Sequence, residues 1–64
     1  MDRPTIIWRV EDGKENCMEV FTYWGEAVQY AKENNYPEVW KYVVDDNGNE
    51  EVIACIWKDG EYIG

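Results

Sequence analysis

The segment from Thr22 to Pro37, TYWGEAVQYAKENNYP, limits the folds open to this chain. Trp24, Ala27, Val28 and Ala31 recur at i, i+3, i+4 and i+7, a narrow apolar stripe at the period of an α-helix. Glu26, Gln29 and Glu33 lie on the opposite side and are expected in water. Thr22 is the expected N-cap, with Gly25 where a capping box would place Glu or Gln. At the other end Asn35 can adopt the left-handed conformation, Tyr36 can fold back on Ala31, and Pro37 forbids a further turn. One short helix cannot form a core alone, so the rest of the chain must supply its partner layer.

The flanking sequence reads as strands. The whole chain has four Trp, five Tyr, one Phe and no Leu, with Val and Ile as its main aliphatic residues, a bias that favours strands outside the helix. After a lead-in, Met1–Pro4, strands are expected at Thr5–Val10 and Glu15–Phe21 around a Glu11-Asp12-Gly13 turn. Beyond the helix, strands are expected at Glu38–Val44 and Glu50–Trp57 around Asp46-Asn47-Gly48. Asp59-Gly60 then turns the chain into a tail or short edge extension, Glu61–Gly64. The expected fold is α+β, a single ββαββ domain spanning all 64 residues.

Three-residue loops ending on glycine place Ile6, Trp8 and Val10 on one face with Met18 and Val20. They likewise group Trp40, Tyr42 and Val44 with Val52, Ala54 and Ile56. Two-residue loops would bury Glu15, Glu19 and Glu51, at a cost. Both apolar faces are expected to pack on the helix. The first and fourth strands are the most apolar, and edge strands tolerate charge, which predicts a mixed four-stranded sheet of order 2-1-4-3. That arrangement is similar to the β-grasp class; the likeness is architectural and implies no activity.

Fourteen acidic residues against six basic ones give a formal charge of −8. Such an excess opposes direct contact with nucleic acid or an anionic membrane and favours a protein partner with a basic surface. With no apolar run of membrane-spanning length and no leader pattern, a cytoplasmic protein is expected. The chain contains no His and no Ser, which removes Ser–His and Cys–His nucleophile pairs and histidine-ligated metals. Cys17 and Cys55 are expected as reduced strand residues. Paired carboxylates such as Glu11/Asp12 and Asp45/Asp46 fall on hairpin tips, where water would keep them ordinary acids. The acidic run from Asp45 to Glu51 fails the spacing of a calcium loop. No enzyme activity, cofactor or metal is expected.

Two surfaces remain. The outer sheet face is expected to carry Ile7, Cys17, Phe21, Val39, Val43, Ile53, Cys55 and Trp57, relieved mainly by Arg9 and Lys41, an apolar patch of the kind that meets a partner. Carboxylates mark the two hairpins: Glu11, Asp12, Glu15 and Glu19 on one, Asp45, Asp46, Glu50 and Glu51 on the other, with the tips at opposite ends of the sheet. The leading expectation is a non-catalytic protein-binding module. In its sharper form it is an inhibitor, of the kind phages direct against host defences, presenting phosphate-like carboxylates to a nucleic-acid-processing protein. The alternative is a structural module, a homodimer or accessory subunit, joined through Ile7, Val43, Ile53 and Trp57.

Overall fold

A computed structural model describes residues 4–63, so Met1–Arg3 of the lead-in and Gly64 of the tail lie outside the described residues. In chain order the elements are β1 (Thr5–Glu11), β2 (Cys17–Phe21), α1 (Trp24–Asn34), β3 (Glu38–Val44), β4 (Glu50–Lys58) and β5 (Glu61–Tyr62). The fold is α+β, with one helix and a five-stranded sheet of order β2-β1-β3-β4-β5. The tail, for which a loose end and a short edge extension are both expected, forms the edge strand β5, paired through Trp57↔Tyr62 and Lys58↔Glu61, so the sheet has five strands and not the expected four.

The expected order 2-1-4-3 is not the one formed. Every neighbouring pair is antiparallel, and β1 lies against β3 along seven pairs from Thr5↔Val44 to Glu11↔Glu38. The helix returns the chain so that β3 runs parallel to β2, which leaves β1 and β3 antiparallel. Their straight hydrogen bonds are favoured over the slanted ones of a parallel β1–β4 pair. The charges of β3 do not force it to an edge. Glu38 accepts a 2.9 Å hydrogen bond from Trp40 Nε1 and lies opposite Lys58. Without a parallel central pair, the β-grasp likeness does not hold.

Helix α1 keeps the expected C-terminal stop: Asn35 has φ 59°, and Tyr36 N–H donates to the Ala31 carbonyl at 2.9 Å. Its start differs. The N-cap is Tyr23, not Thr22, and it makes no side-chain capping bond. The Tyr23 ring folds across Gly25, where an added Cβ would come within 2.7 Å of Cε2. Gly25 is therefore a contact residue rather than a defective capping box.

The core is Val10, Ala27, Val28, Ala31, Val39 and Trp57, with Trp8, Phe21, Tyr30, Tyr36 and Ile56 packed around it. Two alanines at full burial let the helix approach closely, which suits Val10 and Val39 beneath it. That proximity decides the faces. Trp8 points toward the helix as expected, but Trp40 and Tyr42 do not. Pairing Val10 with Val39 sets Trp40 opposite Arg9, on the uncovered side. Val20, also opposite Arg9, joins that side, while Phe21, opposite Trp8, turns inward.

β-Bulges complete the inversion. Near its turn the second hairpin has the expected register, Val44↔Glu50 and Tyr42↔Val52. Two shifts then carry it to Trp40↔Cys55 and Val39↔Trp57, so Trp57 belongs to the core at 4% exposure and not to an outer patch. Among the described residues no helix is long and apolar enough to cross a membrane.

Candidate binding face

Helix α1 covers one side of the sheet, and the other side is organised in cross-strand rows. Cys17, Glu11, Glu38 and Lys58 form one row; Val20, Arg9, Trp40 and Cys55 form the next; Ile7, Tyr42 and Val52 follow. Alternation along each strand puts these side chains on a common surface. It is a mixed charged and aromatic surface, not the apolar one expected.

Arg9 is its hub. The guanidinium lies 4.6 Å from the centroid of the Tyr42 ring, within cation–π range. Nε is 3.6 Å from Glu11 Oε2, an ion pair too long for a hydrogen bond. Nη1 donates to Glu50 Oε1 at 3.3 Å. Glu11 is only 6% exposed, and the Tyr42 hydroxyl donates to its Oε2 at 3.4 Å. A buried carboxylate is costly unless paired and hydrogen-bonded, and Arg9 and Tyr42 supply both. Burial first, then the Glu11 charge, holds the Tyr42 hydroxyl above its ordinary pKa and keeps it a donor.

Beside this hub is an open concavity of about 470 Å³, lined by Arg9, Glu11, Gly13, Glu15, Glu38, Trp40, Tyr42 and Val52. Its volume lies toward the lower end of small-ligand sites. Its chemistry is unusual for a sheet surface: three carboxylates, one guanidinium and two aromatic rings. Glu11 and Glu38 sit directly opposite one another across β1 and β3, a like-charge pairing that is unfavourable in isolation. Lys58, the exposed neighbour of Glu38 on β4, offsets part of that repulsion.

The carboxylates singled out in the sequence have different fates. Glu11, Glu15 and Glu50 gather on or around the uncovered face. Asp12 and Asp45 are committed to their loops. Asp12 Oδ1 accepts from the Lys14 and Asn16 amides at 2.7 and 3.3 Å, and Oδ2 from Asn16 Nδ2 at 3.0 Å. Asp45 Oδ1 accepts from the Asn47 and Asn49 amides, both at 2.9 Å, and Oδ2 from Asn49 Nδ2 at 3.3 Å. These bonds hold both carboxyls below the ordinary aspartate range, led by the Asn16 side chain for Asp12 and the Asn49 amide for Asp45. Glu19 accepts from the neighbouring Val20 amide on edge strand β2, and Asp46 and Glu51 are exposed near the second turn.

The apolar residues expected to form one contact surface are divided. Ile7 lies on the uncovered face opposite Tyr42. Val43, opposite Ile6, and Trp57 are on the helix side. Ile53 is 49% exposed at a β4 bulge. Arg9 is expected on this face and lies there; Glu38, Trp40 and Tyr42 are not expected on it. The signal for them is period two: Arg9 and Glu11 on one strand, Glu38, Trp40 and Tyr42 on the other.

Cys17 and Cys55 are free thiols, and burial pushes the Cys55 thiol up toward its protonated form. Among the described residues no group of three or more His, Cys, Asp or Glu side chains is gathered to hold a metal ion. Comparison with protein-family models, with curated proteins and with solved structures finds no match to this chain.

Proposed function

We propose that the protein is a non-catalytic binding module that lays its uncovered sheet face on a basic surface of a protein partner and blocks that surface by covering it. The observation that carries this reading is the acidic, aromatic concavity of Glu11, Glu15, Glu38, Trp40 and Tyr42 on the face the helix leaves free. Large rings with satisfied polar tips supply contact area, and the carboxylates supply sign and steering. Without His or Ser, the concavity has no imidazole base or serine nucleophile to turn binding into hydrolysis.

Charge density bounds the inhibitor version. The molecule is 38 Å along its longest axis. DNA duplex of that length carries about 22 phosphate charges, against a net −8 here. Imitation of a whole duplex is therefore outside its reach. Occupation of one basic patch, on a nucleic-acid-processing protein or another, is within it. Self-association through Ile7, Val43, Ile53 and Trp57 is not adopted, because those residues do not share a surface.

The test is a captured partner titrated with salt. Affinity is expected to fall about tenfold or more between roughly 50 and 500 mM salt, and Glu38→Lys with Glu50→Lys should reproduce the loss at low salt. Binding that ignores both salt and charge reversal would remove this reading.

A further inference from the structure

We propose that the concavity is a receptor for one arginine side chain presented by the basic partner. This rests on the binding-face reading above and names what that face recognises. The chain displays the mode of binding internally: Arg9 lies over Tyr42 and spans Glu11 and Glu50. That internal cation does not balance the site. Counting Lys58 opposite Glu38 and Glu50 on Arg9, the carboxylates of Glu11, Glu15, Glu38 and Glu50 set four negative charges against two cations, a formal excess of two. Glu11 and Glu38 face each other directly across adjacent strands, so a further cation between or above them relieves a repulsion built into the ladder.

The second aromatic wall selects the kind of cation. Trp40 is half-buried on this face, and its indole N–H is already bonded to Glu38 at 2.9 Å, which ties the ring to the carboxylate beside it. Indole is the strongest aromatic partner for a cation. A planar guanidinium stacked on Trp40 can donate in its own plane to Glu38 and Glu15, as a compact ammonium cannot. Charge complementarity and ring geometry therefore favour arginine over lysine. An open concavity of about 470 Å³ accepts such a side chain from a partner without any movement of the strands.

The experiment uses the intact protein, isotope-labelled, titrated by NMR with N-acetyl-arginine methylamide and with its lysine and citrulline counterparts. The arginine probe is expected to give saturable shifts at the Trp40 indole N–H and at the Gly13 and Glu15 amides. The lysine probe should bind at least ~5-fold more weakly, and the neutral citrulline probe should not saturate. Trp40→Leu should weaken the arginine probe ~5-fold, with Trp40→Phe recovering part of the loss. Glu15→Gln, on an exposed loop, should weaken it ~3-fold without disturbing the spectrum elsewhere. Equal binding of the citrulline probe, shifts confined to the Asp45–Glu51 region, or no saturable shift overturns the proposal. The two readings fail separately. A partner still held salt-sensitively when the arginine probe does not bind defeats only the arginine site. Arginine-probe binding without salt-sensitive partner binding defeats only the broader reading.

Discussion

The two hairpin loops close in the same way and differ at the three positions between their closing residues. In Asp12-Gly13-Lys14-Glu15-Asn16 and Asp45-Asp46-Asn47-Gly48-Asn49, the leading Asp accepts from the amides two and four residues on. It also accepts from the side chain of the closing Asn. Both Asp amides donate to the closing Asn carbonyl, at 3.2 and 3.0 Å. The fourth position separates them. Gly48 sits there at φ 83° in the second loop, and Glu15 at φ 68° in the first. The first loop has its glycine two positions earlier, at Gly13, also at φ 83° and against Pro37. One loop is relaxed; the other holds a carboxylate in a conformation its side chain resists. That carboxylate lines the concavity of the uncovered sheet face. The contrast sets a strained position at the edge of the proposed site beside an equivalent position that has no strain.

The largest effect expected from this comparison is at the glycines. Gly13→Ala combines a left-handed backbone with a Cβ placed 3.2 Å from Pro37 Cγ, whereas Gly48→Ala meets open space. Denaturant unfolding should show a loss of about 2 kcal/mol for Gly13→Ala and about 1 kcal/mol for Gly48→Ala. Equal losses would mean that Pro37 does not restrict the first loop. A smaller change of opposite sign is expected for Glu15→Gly, which should stabilise the fold by about 0.5–1 kcal/mol while weakening the arginine probe. A variant that gains stability and keeps the probe would separate the strain from the site.

The gentlest perturbation is acid. Both Asp carboxyls titrate below the ordinary aspartate value of 3.8, because the Asn16 side chain and then the Lys14 amide bond to the charged form of Asp12, and the Asn49 amide leads for Asp45. A group whose folded pKa is lowered contributes its stability above the unfolded value and loses it as pH falls through the folded one. Both clamps should therefore be intact above about pH 4 and open below the lowered values, seen as loss of the Lys14, Asn16, Asn47 and Asn49 amide protection. An Asp12 or Asp45 carbon shift with a midpoint at or above 3.8 would contradict the loop geometry.

The parts of the fold legible in the sequence are those governed by neighbours in the chain. Asn35, Tyr36 and Pro37 announce the helix stop, and Asp46-Asn47-Gly48 is the turn found between Asp45 and Asn49. In the first hairpin the Asp-Gly pair misleads. Both loops hold three residues, but here they are Gly13-Lys14-Glu15, two positions later than expected, because Asp12 clamps Asn16 rather than entering the turn. Non-local choices were less legible. Edge charge suggested β4 as the partner of β1, while the ladder chose β3. Strict alternation carried Trp40 and Tyr42 inward, but it cannot register bulges or the small space beneath Ala27 and Ala31. The candidate site was half visible for the same reason. Its carboxylates Glu11 and Glu15 stand out in the sequence, but its aromatic walls become a surface only once the face of β3 is known.

Which tryptophan faces the helix is therefore the central claim, and interproton contacts test it directly. The Trp57 ring should show contacts to the Ala31 methyl, and the Trp40 ring should show them to Arg9 and none to the helix. Trp40 in contact with Ala27 or Ala31, and Trp57 without such contacts, would turn the second hairpin over and remove the proposed binding face with it.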